Sequence, residues 1–163
     1  MSNSPMSGSQ SAPRSDPPIV VLDTNVVLDL LHFHDPGVAA IDAAIRSGRV
    51  QVITDASCLE EWRRVLAYPE FALGEAARAL LQAAYAAFAK VVESGTAQGG
   101  ASPRCRDADD QKFIDLALRC RARFLISKDK AVLRLAGRFA RTPDWSGCVI
   151  VPPHAFALPA TLP

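Results

Sequence analysis

The stretch Ile19-Val20-Val21-Leu22-Asp23-Thr24-Asn25 decides the fold. Four apolar residues end on three polar ones, and apolar sequence with a helical spacing resumes directly after them. This pattern predicts a buried strand that leads into a helix. Ligand and metal sites of open parallel sheets lie outside the carboxyl ends of the strands, so Asp23 is a candidate for chemistry. The same residues are common helix N-caps, and the stretch alone fits a cap equally well.

Composition limits the chain to one domain. The sequence has 163 residues, and residues 1–18 are mostly Ser, Pro, Gly and Asn, so we expect a disordered N-terminal tail. Residues 19–163 then form a single domain of ordinary size. The sequence lacks both an apolar run of the roughly 20 residues that a membrane helix needs and an export signal, so we expect a cytoplasmic protein without membrane contact. The four cysteines are scattered and show no zinc spacing, which predicts reduced thiols.

Charge is distributed unevenly along the chain. The segment from Arg104 to Arg141 has eleven Lys or Arg against five Asp, whereas residues 1–103 have seven basic against eleven acidic residues. A basic segment that also contains several acids is typical of a protein that holds an anionic polymer. The alternative is an Arg-rich solvated surface. When only the charge is considered, this alternative is favoured.

Strand and helix patterns alternate along the chain, which predicts a parallel sheet covered on both faces. A long Ala-rich helix is expected from about Glu75 to Val92, with Leu80, Ala84, Phe88 and Val91 facing the core. Further strands are expected at Arg49–Thr54, Phe124–Ile126 and Cys148–Val151, and further helices from Asp55, from Asp110 to Arg121, and from Lys130 to Ala136.

Three more acids occupy positions from which they could meet Asp23. Asp129 follows an apolar strand just as Asp23 does, and Asp110 heads the helix that runs into that strand. In the helix after the second strand, Glu61 lies roughly 100° from the centre of the apolar face and Glu60 roughly 160° away. Glu61 can therefore reach the edge of the sheet, while Glu60 points outward.

Four carboxylates that meet must either share protons or hold a cation. Because no His or Cys accompanies them, the pattern favours Mg²⁺ or Mn²⁺ over zinc. Such ions assist phosphodiester hydrolysis. Asn25 and Ser127 fit two roles equally, as turn or cap residues and as outer partners of a metal site. Asp107 and Asp109 are most simply acids at a helix start, and Asp107 is the better candidate for an accessory role.

These residues are where the chain resembles the PIN-domain ribonucleases, particularly the branch of bacterial toxin-antitoxin toxins. The matching segments are Val21–Asn25, Leu59–Leu66, Arg106–Phe113 and Leu125–Asp129. The resemblance implies a three-layer α/β/α sandwich with a central parallel sheet of about five strands. It also implies a Mg²⁺- or Mn²⁺-dependent ribonuclease, with an antitoxin protein as a partner and a homodimer as its assembly. Four acids match the family's catalytic and metal-binding quartet, namely Asp23, Glu61, Asp110 and Asp129.

The resemblance also separates two neighbouring acids. Asp110 stands seven residues before Ala117, as the family's acid does before its small helix residue, and it is therefore preferred to Asp109. Asn25 and Ser127 match the family's polar helpers. We expect six cations to hold the RNA backbone without reading bases, namely Lys112, Lys128, Lys130, Arg104, Arg106 and Arg134.

Two other functions remain open. Phosphatases of the haloacid-dehalogenase kind also place a nucleophilic Asp after the first strand, which would be Asp23. They usually need a second acid two residues later, where this chain has Asn25. The other alternative is a non-catalytic module that binds RNA or an antitoxin while its acids serve as helix caps.

Overall fold

The computed structural model describes residues 16–95, 102–145 and 147–158. These residues contain a five-stranded parallel sheet with the strand order β3-β2-β1-β4-β5. Residues 1–15 of the predicted tail lie outside the described part. The strands are Ile19–Leu22 (β1), Gln51–Thr54 (β2), Ala89–Val91 (β3), Phe124–Ile126 (β4) and Val149–Val151 (β5).

Helices connect the strands. They are Thr24–Leu28 (α1), which continues as a wider helical turn to Phe33, Ala39–Arg46 (α2), Ala56–Leu66 (α3), Glu75–Phe88 (α4), Gln111–Arg119 (α5), Lys130–Leu133 (α6) and Ala136–Arg141 (α7). Within the described residues, none of these helices has the length and apolar character that crossing a membrane would need.

The two faces of the sheet carry separate cores, because successive side chains of a strand point to opposite faces. Val20 and Leu22 of β1 pack in one core, which α1 to α4 cover, with Trp62 as a large buried side chain. Val21 packs in the other core, which is covered mainly by α5, α6 and α7 and includes Phe139. The chain is therefore a three-layer α/β/α sandwich, as predicted.

The centre of the sheet positions the acids. β1 lies between β2 and β4, and its last residue, Leu22, is in register with Ile126 at the end of β4. The pairing extends one residue further, because the Asp23 N–H donates to the Ile126 carbonyl at 3.0 Å. The two strands therefore end side by side, and the turns that follow them meet.

Two sequence predictions fail in this region of the chain. The Ala-rich helix ends at Phe88 rather than near Val92, because Ala89–Val91 pairs with β2 as the edge strand. Leu80 and Val91 do not face the core, since they are 72% and 56% exposed. Tyr85 supplies the buried contact instead and packs edge-on against Trp62.

Candidate active site

Asp23 is the most enclosed acid at the carboxyl edge of the sheet. It is 2% exposed, and its Oδ1 accepts a hydrogen bond of 3.1 Å from the Val26 N–H, so it does cap α1. Its Oδ2 accepts from the Ser127 hydroxyl and from the Lys128 N–H at 3.1 Å. Burial raises the pKa of Asp23, and these hydrogen bonds offset only part of that effect. Asp23 therefore both caps a helix and joins the turns after β1 and β4.

Asp129 occupies the matching turn after β4. Its Oδ1 accepts hydrogen bonds from the Ala131 and Val132 N–H groups and so caps α6. The Ser127 hydroxyl, which donates to Asp23, also accepts from the Asp129 N–H at 3.0 Å. Ser127 is fully buried, and its hydroxyl links the Asp23 carboxylate to the main chain of Asp129.

Glu61 reaches the same edge from α3. Its side chain is 14% exposed, whereas Glu60 is exposed, as the helical spacing predicted. Glu61 Oε1 accepts a hydrogen bond of 2.6 Å from the Thr24 hydroxyl, next to Asp23. Its Oε2 contacts the Lys112 ammonium, and Arg64 lies 4.0 Å from the same oxygen. Helix α3 itself is capped by Asp55, whose Oδ1 accepts from the Cys58 N–H at 3.0 Å.

Asp110 lies immediately before α5. The charges of the neighbouring acids affect the pKa of its carboxyl group. Its pKa is raised to about 7, first by burial and then by the negative charges of Asp129, Asp107, Asp23 and Glu61. Hydrogen bonds also link the segments that carry the acids, because Thr24, next to Asp23, bonds to Glu61, and the Ser127 hydroxyl bonds to the Asp23 carboxylate and the Asp129 N–H. Lys112, two residues after Asp110, contacts Glu61. We call Asp23, Glu61, Asp110 and Asp129 the acid cluster.

The segment before Asp110 is fixed by the amide of Gln111. Gln111 Oε1 accepts from the Cys105 N–H at 2.7 Å, and its Nε2 donates to Asp115 Oδ1 at 2.9 Å. Asp109 is exposed, and so is Asp107, whose Oδ1 accepts from the Asp109 N–H at 3.0 Å. Asp110, by contrast, is partly buried.

The six cations predicted to contact RNA divide into two groups. Lys112 and Lys128 are engaged by acids, because Lys112 contacts Glu61 and the Lys128 ammonium lies 2.7 Å from Asp29 Oδ2. The hydrogen bond to Asp29 raises the pKa of Lys128. The other four side chains are exposed, and three of them line a groove of about 480 Å³ that Asp129 also lines, namely Arg106, Lys130 and Arg134. Arg104 is exposed outside that groove.

Asn25 is exposed at the start of α1. Its backbone N–H bonds to Asp23, and in the described part of the chain its side-chain amide makes no hydrogen bond to the acid cluster. The structure adds three residues that the sequence did not single out. Thr24 bonds to Glu61, and the buried Asp29 pairs with Lys128. The third is Asp55, which follows β2 as Asp23 follows β1. The sequence shows this position, because an acid directly follows an apolar strand in both places. The Asp55 carboxylate pairs instead with Arg119 at 3.1 Å.

The acid cluster does not form a closed ligand shell as it stands. Among the described residues, no three His, Cys, Asp or Glu side chains are placed to hold a metal ion together. Backbone N–H groups, hydroxyls and the Lys112 ammonium occupy many of the carboxylate oxygens. The donor set nevertheless consists of oxygens with excess negative charge, which suits a hard divalent cation.

Comparison with known proteins gives the family. The chain is similar in fold to the crystal structure of VapBC2 from Rickettsia felis bound to a DNA fragment from their promoter, with 12% identity and a TM-score of 0.54 over 82% of this chain and 98% of that chain. No curated protein matches the chain in sequence. A family model for the PIN domain matches residues 19–131, and PIN domains are generally nucleases that typically use divalent metal ions. The chain belongs to the PIN-domain family.

Proposed function

We propose that this chain is a metal-dependent endoribonuclease whose active site is the acid cluster. The observation that carries the proposal is the convergence of four carboxylates from four chain segments at the carboxyl ends of β1 and β4. Structural caps need no such convergence, since each cap acts only on its own helix. Asp55 shows the contrast, because it caps α3 and is neutralised by Arg119.

Mg²⁺ or Mn²⁺ is the cofactor that fits this set of residues. Asp23, Glu61, Asp110 and Asp129 would hold one or two ions, with Ser127, Asn25 and Asp107 as outer partners. When bound, such an ion lowers the pKa of a water molecule and stabilises the charge that develops on a phosphate. In the hydrolysis, the oxygen of a water molecule would bond to phosphorus as a backbone P–O bond breaks, and a proton from that water would pass to the leaving oxygen.

The substrate would be held through its phosphates. Arg106, Lys130 and Arg134 line a groove beside Asp129, and Arg104 is exposed in the segment that leads to Arg106. Contacts of this kind orient a nucleic acid without reading its sequence. Lys112 and Lys128 can contribute positive potential, although their ammonium groups are engaged by Glu61 and Asp29.

The biological setting follows from the family rather than from a contact in this chain. A similar fold occurs in the VapBC2 structure from Rickettsia felis. We therefore include in the proposal a toxin role, an antitoxin protein as partner, a homodimer and a cytoplasmic location. The proposed domain is residues 19–163, preceded by a tail at residues 1–18. Co-expression with the protein encoded next to this chain, followed by size-exclusion chromatography, tests the partner and the assembly together.

The function is tested by incubating the purified full chain with end-labelled single-stranded RNA. We expect cleavage with Mg²⁺ or Mn²⁺, loss of cleavage in EDTA, and recovery when the metal is restored. Asp23→Asn should abolish cleavage, whereas Asp42→Asn, on the distant helix α2, should not. Equal cleavage by wild type and Asp23→Asn, or equal cleavage in EDTA, would contradict the proposal.

The two alternatives have distinct signatures. A phosphatase with Asp23 as nucleophile would form an aspartyl-phosphate at that residue. Against it, such a phosphatase usually needs a second acid two residues after the nucleophile, and this chain has Asn25 there. A non-catalytic module is favoured by the caps that Asp23 and Asp129 form on α1 and α6. It would bind RNA without metal and without cleaving it.

A further inference from the structure

A second cavity, of about 390 Å³, lies next to the groove of Arg106, Lys130 and Arg134. The two are adjacent, because Lys130 lines both of them. Lys128 also lines the cavity, and its main-chain N–H donates to Asp23 Oδ2 at 3.1 Å. The cavity therefore adjoins both the groove proposed to hold RNA phosphates and the acid cluster.

The walls of this cavity are mostly apolar. Val38, Leu133, Pro152 and Pro153 supply them, and His154 adds an imidazole ring. Pockets that hold small organic ligands usually enclose about 300–1,000 Å³ and combine apolar walls with a few polar groups. Proteins that recognise single-stranded RNA hold unstacked bases in surroundings of this kind. A flat aromatic ring is therefore a ligand that suits the cavity.

The charges that line the cavity balance one another. Two acids, Asp29 and Asp35, lie there with two lysines, Lys128 and Lys130. A phosphate group bound in the cavity would face both carboxylates, and like charges placed together are costly. An uncharged polar ring meets no such repulsion. The cavity thus suits a base of the RNA better than its backbone.

Asp29 and Lys128 place an acceptor and a donor side by side in the cavity. Asp29 is only 6% exposed, and its Oδ2 lies 2.7 Å from the Lys128 ammonium. In the described part of the chain, its Oδ1 accepts no hydrogen bond. An ammonium has three N–H donors, and the pairing with Asp29 uses one of them. The pair therefore keeps both acceptor and donor capacity for a ligand.

We propose that this cavity binds one unstacked guanine of the RNA substrate and that Asp29 and Lys128 recognise its edge. Guanine carries a carbonyl beside two N–H donors, so Lys128 can donate to O6 while the Asp29 carboxylate accepts from N1–H and N2–H. Adenine, cytosine and uracil each have only one donor group along that edge. The inference rests on the proposed function and adds a base preference to it. Lys128 then contacts a base rather than a phosphate.

The test measures binding of the purified full chain to fluorescein-labelled uridine nonamers that carry one central guanosine, adenosine or cytidine. Fluorescence anisotropy is recorded in EDTA, so that metal-dependent cleavage does not interfere. Wild type should bind the guanosine oligomer about 10-fold more tightly than the other two, as expected for a well-matched pair of hydrogen bonds to a base. The readout is the ratio of affinities, because a change in overall charge affects all three oligomers alike.

Three variants should lose this preference. Asp29→Asn keeps the size of the side chain but removes its charge and exchanges an acceptor for a donor. Lys128→Met removes the ammonium, and Leu133→Trp fills the cavity without changing the ion pair. Asp42→Asn is the matched control, because it breaks an exposed ion pair with Arg46 on α2, and it should keep the preference.

The outcomes separate this inference from the proposed function. Equal binding of the three oligomers by wild type, or a preference for another base, would overturn the inference and leave the nuclease proposal intact. A guanosine preference that survives in folded Asp29→Asn or Lys128→Met would also overturn it. If circular dichroism shows that Asp29→Asn does not fold, Lys128→Met and Leu133→Trp decide, since neither side chain is buried. A guanosine preference without cleavage in Mg²⁺ or Mn²⁺ would support the base site and refute the nuclease.

Discussion

The Thr24 hydroxyl donates a hydrogen bond of 2.6 Å to Glu61 Oε1 and joins two elements that are 37 residues apart in sequence. Thr24 begins α1 directly after Asp23, and Glu61 lies in the middle of α3. The bond therefore holds one acid of the cluster at a fixed place relative to another. It also satisfies a buried hydroxyl, since Thr24 is 6% exposed.

Thr24→Val should reduce RNA cleavage about 10- to 100-fold, because loss of an outer partner of a metal site has effects of that size. The loss in stability should be smaller, about 1 kcal/mol, as for a single hydrogen bond. Thr24→Ser keeps the hydroxyl and should retain most of the activity. Steady-state cleavage rates and thermal melts of both variants check this. Equal activity of Thr24→Val and wild type would show that the bond does not position Glu61.

Asp110→Asn should abolish cleavage and yet stabilise the metal-free fold at high pH. Folding raises the pKa of Asp110 from 3.8 to about 7. Its contribution to stability is therefore fully present below about pH 4 and is lost as pH rises through about 7. In EDTA, the Tm of Asp110→Asn should exceed that of wild type at pH 8, and the difference should shrink at pH 5.

Asp109→Asn is the matched control for Asp110→Asn, since Asp109 is adjacent, exposed and similar in chemistry. It should leave both cleavage and the pH dependence of the Tm close to wild type. A loss of cleavage in Asp109→Asn, with Asp110→Asn active, would show that the two acids have been assigned in the wrong order.

The positions of Asp23 and Asp129 after their strands could be predicted from the sequence, because each follows a local pattern. The apolar runs before Asp23 and Asp129 are continuous, as in parallel strands buried on both faces, and register then brings the turns together. The edge strand β3 had no such signal, since Ala89 and Lys90 continue an Ala-rich helical pattern and become a strand only by pairing with β2. Helix α7 has only six residues, and Phe139 is its buried residue in the core. So short a segment shows no helical periodicity in the sequence.

The acidic partners of Lys112 and Lys128 could not be predicted from the sequence, because these pairs also depend on contacts between distant segments. Lys112 and Lys128 looked like surface cations of a basic segment, because sequence gives charge but not distance. Asp29, the partner of Lys128, lies 99 residues away in the turn that follows α1. Pairings over such separations depend on how α1 and the β4 turn pack, which no local pattern reports.

Arg106→Ala, Lys130→Ala and Arg134→Ala should each weaken RNA binding while leaving the rate at saturating RNA nearly unchanged. Each removed phosphate contact should lower the slope of log affinity against log salt by about 0.7 for a single strand. Fluorescence anisotropy at several salt concentrations measures this. Arg49→Ala, exposed before β2 and therefore at the opposite edge of the sheet, is the control and should keep the wild-type slope.

Asp55→Ala should destabilise the fold by at least about 1 kcal/mol, because it removes the cap of α3 and leaves the enclosed Arg119 without a carboxylate partner. Although burial opposes ionisation, hydrogen bonds from Cys58, Ser57 and Arg119 hold the pKa of Asp55 below 3.8. Its contribution is thus present above about pH 4 and is lost as pH falls further. Urea unfolding at pH 7 and pH 3 should show the difference narrowing at pH 3.

Asp55→Ala should also cleave RNA at the wild-type rate at temperatures where it remains folded. That result would show that Asp55 has only a structural role, unlike the acids Asp23 and Asp129 after β1 and β4. A folded but inactive Asp55→Ala variant would place Asp55 in the active site and contradict this assignment.

Binding of a divalent metal ion by the acid cluster is tested most directly by the anomalous difference map of a crystal of the full chain grown with Mn²⁺. We expect a peak at the carboxyl ends of β1 and β4, about 2.0–2.5 Å from carboxylate oxygens of the acid cluster, including Asp110 and Asp129. A map without a peak there, with the protein hydrogen bonds of Asp23 and Asp129 unchanged, would contradict this prediction. Asp23 and Asp129 would then serve only as structural residues, and the chain would not be a metal-dependent nuclease.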